Sequence, residues 1–368
     1  MKKLLLASAV AALSITAAQA APTVYGKAFL TLDVQDGNSN SAAKDSRTQL
    51  NSNASRIGLK GSEALTQNTD LVYQLEYRVD IDSDAARNWE SRDTYLGLAN
   101  KQYGTLVAGR LTTIDDYVDY ANVTAGRPVG GNNVLASFSA ERANNAFAYF
   151  SPERNGLQFM GMYALDENKS TDNLNGDAFG VGVKYEPANQ PFKVGATYIR
   201  AANGYVVGGD EYTVAVKTSV LDANGAATGD YIKVNETRTT PVVSGKLEAI
   251  RVSGAYAASP VLTLGGLYQN TKRENAETEN AFTVSANYKV AQTPWTTYGQ
   301  LDFVDNTKGK KDAEVFRTVV GGKYVFNKAT TGHIYGAYQR SENTNLKTGL
   351  TEGKANAYGI GGGIEYKF

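Results

Sequence analysis

Ala357-Tyr358-Gly359-Ile360-Gly361-Gly362-Gly363-Ile364-Glu365-Tyr366-Lys367-Phe368 closes the chain, and its alternation decides the fold. Successive side chains of a strand point to opposite sides. Tyr358, Ile360, Ile364, Tyr366 and Phe368 therefore share one face, and Ala357, Gly359, Gly361, Gly363, Glu365 and Lys367 share the other. Large apolar groups with an aromatic at each end, backed by small and charged residues, mark a strand set between hydrocarbon and water. A strand at the end of a chain leaves an open edge of backbone donors and acceptors. In a closed barrel that edge is met by the first strand of the same chain.

The other end of the sequence reads as an export signal. Lys2 and Lys3 precede an apolar run from Leu4 to Ile15, and Ala18-Gln19-Ala20 offers small residues for cleavage, so residues 1–20 are excluded from the fold. Residues 21–368 are then expected to form one domain. Without Lys2 and Lys3 the basic count falls to 35 against 37 acidic residues, a balance that draws the chain neither to nucleic acid nor to an anionic surface. No later stretch approaches the roughly 18 apolar residues of a membrane helix, so any span must be a closed barrel. Zero cysteines and one histidine remove disulfides, thiolate metal sites and cysteine nucleophiles. No cofactor is implied.

Sixteen candidate strands follow, from Thr23–Gln35 to Ala355–Phe368, joined alternately by short turns and longer polar loops. Leu71, Tyr73, Leu75, Tyr77 and Val79 oppose Gln74, Glu76, Arg78 and Asp80; Phe282, Val284, Ala286, Tyr288 and Val290 oppose Thr283, Ser285, Asn287 and Lys289. A barrel of this size is too wide for side chains to fill, so the polar face lines water and the apolar face meets lipid. Ser91–Ala99 and Val261–Gln269 alternate poorly, and burial against protein or a shifted register is expected there. The sequence thus predicts an all-β protein, a sixteen-stranded antiparallel transmembrane β-barrel. A long insertion at 202–245 is read as an external loop with its own hairpin around Tyr212–Val220.

A lumen this wide passes anything small unless something narrows it. The best candidate is residues 111–141, which carry Asp115, Asp116 and Asp119 and the run Gly126-Arg127-Pro128-Val129-Gly130-Gly131. Here the chain resembles the general, non-specific porins of Gram-negative outer membranes, trimers of sixteen-stranded barrels whose third external loop folds into the pore. Val24-Tyr25-Gly26-Lys27 is similar to that family's first strand and Ser55-Arg56-Ile57-Gly58-Leu59-Lys60-Gly61 to its second. The resemblance implies a basic pore wall of Lys27, Arg56, Arg92 and Arg142, and a place for Arg110 in contacts between neighbouring barrels. It also implies a constriction loop in which Asp115, Asp116, Asp119 and Arg127 take part, the aspartates facing the basic wall to set a transverse field. The loop-tip motif departs from the family: Pro128-Val129-Gly130-Gly131 lacks the glutamate of the enterobacterial porins, which puts cation preference by that route in doubt.

What the resemblance implies is a homotrimer in outer-membrane lipid, passing small hydrophilic solutes and ions by passive diffusion. A substrate-specific channel is the alternative, with the 202–245 insertion and lumen tyrosines holding one solute. A barrel enzyme is disfavoured, because a nucleophile needs a paired base and His333 has no serine beside it; His333 reads as a wall or rim residue. Taken singly, each arginine can be an ordinary solvated wall residue, and each aspartate an ordinary loop residue. Gly180-Val181-Gly182 has no following helix to cradle a phosphate and reads as packing glycines.

Overall fold

The computed structural model describes residues 21–38, 46–83, 89–126, 129, 142–167, 177–207, 211–221, 227–239, 243–342 and 354–368. The proposed export signal, Arg127 and much of the 111–141 loop lie outside these. Within them the strands are β1 (Thr23–Asn38), β2 (Arg47–Ser52), β3 (Arg56–Ala64), β4 (Thr69–Arg78), β5 (Thr94–Asn100), β6 (Gly104–Thr112), β7 (Arg142–Phe150), β8 (Leu157–Ala164), β9 (Ala178–Tyr185) and β10 (Phe192–Val207). There follow β11 (Glu211–Leu221), β12 (Ala227–Thr239), β13 (Val243–Ala257), β14 (Leu262–Arg273), β15 (Glu279–Lys289), β16 (Trp295–Asp305), β17 (Glu314–Val325), β18 (Thr330–Glu342) and β19 (Lys354–Lys367).

All but β11 and β12 belong to one antiparallel sheet in which chain neighbours are sheet neighbours. β2 and β3 lie end to end along β1, pairing with Leu30–Gln35 and with Thr23–Lys27 respectively. They form one stave, broken where Ala54 takes a φ of 51°. The barrel therefore has sixteen staves. β19 closes it on β1, from Lys27 opposite Lys367 to Asn38 opposite Asn356. The final residue is part of the seam: Gly26 N–H donates to the Phe368 carbonyl at 2.8 Å and Phe368 N–H to that of Gly26 at 3.1 Å. Among the described residues the barrel sheet has no unpaired edge strand, which is what a backbone in hydrocarbon requires.

The outer face carries the alternation predicted from the terminal strand. Tyr358, Ile360, Ile364, Tyr366 and Phe368 are all exposed. Tyr268, Phe282, Phe303 and Phe316 sit directly opposite one another across four adjacent strands and form an aromatic row. Toward the short turns Tyr288, Trp295, Tyr324 and Phe326 form a second row, with Val284, Leu301, Val320 and Ile334 exposed between them. Phe282 and Tyr288 are six residues apart, roughly 20 Å along the strand. These are two girdles around an aliphatic belt.

Strands run further than their hydrophobic patterns. Beyond Gln35, where the first candidate strand ends in the sequence, β1 runs three more residues to Asn38 and β2 forms over Arg47–Ser52, while β10 and β13 continue to Val207 and from Val243. Once neighbours are aligned, backbone pairing continues past the apolar belt without needing apolar side chains. Between β10 and β13, β11 and β12 make a separate hairpin. At the poorly alternating β14, Leu267 turns inward and is buried with Ala121, Ala281 and Val304: the register is regular, and an inward position is apolar because loop residue Ala121 covers it.

Closure is tight at Gly363, where an added Cβ would overlap the Leu30 carbonyl oxygen and reach 2.7 Å from Thr31 Cα. Gly363→Ala is expected to lower barrel stability by about 1–3 kcal/mol through overpacking. The urea midpoint of the refolded protein, followed by its gel mobility, checks this; an unchanged midpoint would show that the seam tolerates a methyl group there.

Candidate functional site

The inner face of β1 and β3–β5 gathers the basic residues. Lys27 stands opposite Arg56 in the β1–β3 ladder, so both side chains emerge on the same side. Glu76, 5% exposed, sits among them: Arg56 Nε lies 3.3 Å from its carboxylate, Arg92 Nε donates to it at 2.6 Å, and the Tyr25 hydroxyl donates at 2.9 Å. Arg142, the first residue of β7, donates to Asp93 at 2.9 Å, and the Thr112 hydroxyl donates to the same carboxylate at 2.8 Å. Lys27, Arg56, Arg92 and Arg142 are thus brought together, four cations around two carboxylates. Glu76 and Asp93 were not singled out in the sequence. Glu76 lay on the predicted polar face of its strand, and only the register with β3 shows that it faces the arginines.

On the other side of the lumen the chain that leaves β6 lies against the polar, inner face of the wall. Ile114–Val118 forms a 3-10 turn in which Ile114, Asp115 and Val118 are buried, while Asp116 and Tyr117 are exposed. Ile114 and Val118 seat where the wall has no side chain, since a Cβ at Gly180 would come within 2.7 Å of Ile114 and one at Gly195 within 2.6 Å of Val118. Asp115 pairs with Arg251 of β13 at 3.1 Å, and Arg251 also donates to the Asp115 backbone carbonyl at 2.9 Å. Tyr120 N–H donates to Ser253 at 3.1 Å, Val123 N–H to Gln300 at 2.8 Å, and Lys323 to the Val123 carbonyl at 3.1 Å. Val123 and Val129 pack with Tyr298, Val319 and Tyr335.

This arrangement corrects the expected place of the aspartates. The buried side of the turn includes Asp115, which meets Arg251 rather than the basic wall. Asp119 accepts from Asn122 N–H at 3.1 Å, and burial holds its carboxyl above the usual carboxylate range against the opposing pull of Arg251. Of the three, Asp116 alone lies on the exposed side of the turn. Arg127 lies outside the described residues.

Beneath the loop the wall is cross-linked by charge. Arg317 Nε donates to Asp302 at 2.9 Å and its Nη2 lies 2.8 Å from the same carboxylate, to which Thr283 and Gln300 also donate at 2.7 and 2.9 Å. Arg273 and Glu279 are 3.3 Å apart and buried. Burial at this depth is tolerated only when charges are paired and their hydrogen bonds satisfied. These arginines escaped the sequence reading because their partners lie on neighbouring strands. His333 is a buried wall residue whose ring lies 4.8 Å from Phe29.

Comparison with known proteins agrees with this architecture. The chain is 28% identical over 379 residues to a major outer membrane protein of Pasteurella multocida, covering 98% of this chain and 99% of that one. It is 27% identical over 321 residues to the major outer membrane protein P.IA of Neisseria meningitidis, covering 79% and 78%. An anion-selective porin from Comamonas acidovorans shares the fold, with a TM-score of 0.67 at 20% identity over 94% of this chain and 99% of that one. The family described as Gram-negative porin matches residues 6–346; the chain belongs to it, and is an outer-membrane channel protein rather than an enzyme.

Proposed function

We propose that this porin is a trimeric, water-filled channel that passes small hydrophilic solutes and ions by diffusion and prefers anions. Its narrowest section lies between the loop residues 113–126 and the wall of Lys27, Arg56, Arg92 and Arg142. The carrying observation is the charge of that wall, four cations against Glu76 and Asp93. An excess of fixed positive charge in a confined aqueous section raises the local anion concentration. Weak sites suit throughput, since solutes must leave as readily as they enter. An anion-selective porin sharing the fold supports the same preference, and a related fold solved in trimer form supports the assembly. Residues 1–20 direct export and are removed.

The test is single-channel recording in a planar bilayer under a salt gradient. Conductance is expected in groups of three steps, with a zero-current potential on the anion side. Arg56→Ala combined with Arg92→Ala should move that potential toward cations by several-fold in permeability ratio, because each such charge is worth roughly 1–4 kcal/mol at contact depending on the local dielectric. No conductance, or small currents saturably blocked by one solute, would overturn the general channel. A potential indifferent to the two arginines would remove the basic wall from the account.

A further inference from the structure

The aliphatic belt of the outer face is not smooth. Where β17, β18, β19 and β1 adjoin, it holds a groove of about 720 Å³ with Val320, Ile334, Ile360 and Leu32 for walls and Gly336 and Gly362 for its floor. The register makes the hollows. Gly336 stands directly opposite Val320 on one side and Ile360 on the other, and Gly362 directly opposite Ile334 and Leu32. All four aliphatic side chains are exposed, so they rise around the two glycines. The volume is that of a ligand site, which runs from about 300 to 1,000 Å³.

The barrel's own packing does not call for glycine at the centre of this floor. On the inner face of the same sheet Gly361 is required, because a Cβ there would overlap Asp33 and Tyr335. At Gly336 an added Cβ would meet nothing closer than 3.8 Å. Glycine weakens a strand interior and often marks a place that a ligand or another chain approaches closely. The ends of the groove show which. Tyr338 and Tyr358, directly opposite each other, stand at the loop side and donate their hydroxyls to Asn356 at 2.7 Å and Asp36 at 3.0 Å. Tyr366 and Phe326 stand exposed at the turn side. Aromatic girdles mark the boundary between water and hydrocarbon. A face covered by a second barrel meets no such boundary, so the groove is continuous with the lipid-facing belt.

We infer that the groove binds one acyl chain of a glycerophospholipid, laid along the glycine floor between the two girdles. The paired tyrosines fence its loop-side end. At the turn side Gly332 stands opposite Ile364, with the single ring of Phe326 beside Gly332, so the chain enters from the periplasmic leaflet, which is phospholipid. Branched side chains on both flanks give this chain more close contacts than a flat wall offers. It is thereby held in preference to the lipid around it. The site lies on the outside of the wall and depends neither on conduction nor on ion preference.

Quenching of tryptophan by phosphatidylethanolamine brominated on its chains tests this, because bromine quenches only near contact. Trp295 lies beside the groove: a Cβ at Gly322, which lines it, would come within 3.1 Å of that ring. The chain has two tryptophans, so Trp89→Phe leaves Trp295 as the reporter. In the refolded full-length protein in detergent, quenching is expected to saturate at about one lipid per protomer and to be reversed by unbrominated phosphatidylethanolamine. Gly336→Leu, whose side chain fills the floor, should weaken the apparent affinity roughly tenfold or more. Reversal by unbrominated lipid uses no groove variant and decides the matter even where Gly336→Leu does not refold. Quenching that rises in proportion to lipid without saturating, or that is unchanged in Gly336→Leu, overturns the site. Reversal by lipid A but not by phosphatidylethanolamine overturns the assignment to phospholipid, and loss of trimers on gels of Gly336→Leu overturns it in favour of a neighbouring barrel.

Discussion

Asp302→Ala is expected to lower the stability of the barrel by about 3–5 kcal/mol, the cost of removing one member of a buried ion pair. Arg317 has no exposed surface, and Asp302 stands directly opposite it across the β16–β17 ladder. The carboxylate also accepts from Thr283 and Gln300, so alanine removes the charge that balances the guanidinium and deprives two further donors of this acceptor. The effect reaches the loop, because Gln300 holds Val123 N–H with the other end of its amide. The paired change Asp302→Leu with Arg317→Met should be far milder, near neutral, since it removes both charges and keeps volume. Urea midpoints of the refolded variants check this, and a single variant as stable as the parent would show that water reaches Arg317.

That pair also marks the boundary of what the sequence discloses. Strand number, the two-faced pattern and the seam between β1 and β19 follow from alternation within each stretch, because lipid on one side and water on the other impose a period of two locally. Strand ends do not follow in the same way. The 36–51 stretch carries no apolar pattern, yet it supplies the end of β1 and all but the last residue of β2, since pairing beyond the membrane depends on the neighbour and not on hydropathy. The same holds for the site. Lys27, Arg56, Arg92 and Arg142, named from the resemblance, gather around Glu76 and Asp93, but Glu76 between Arg56 and Arg92, and Asp302 opposite Arg317, appear only when register is known. The aspartates were misplaced for a different reason. A short 3-10 turn lays only part of its circumference on the wall, so Asp115 went to the wall with Ile114 while Asp116 stayed exposed, and no property of the acidic cluster itself distinguished them.

Arg251→Ala should unseat the start of the loop while sparing the barrel. Arg251 donates to both the Asp115 carboxylate and the Asp115 backbone carbonyl, and its own Nε donates to Gln269 on the adjoining strand at 2.9 Å. Alanine there breaks both links to the turn and leaves the Asp115 carboxylate buried without its counter-charge. Loss of about 3–5 kcal/mol from that contact raises the population of the detached turn by roughly a hundredfold to several thousandfold, because opening of a loop is a local event with its own free energy. Asp115→Asn should have a smaller effect, since an amide still accepts from the guanidinium and the backbone bond survives. The readout is open-channel current noise: Arg251→Ala is expected to show brief closures as the turn enters the lumen, with a urea midpoint shifted far less than that of Asp302→Ala. Quiet channels in Arg251→Ala would mean that Ile114 and Val118, seated over Gly180 and Gly195, hold the turn without help from the ion pair. The apolar contacts, and not the charge, would then set the width of the pore.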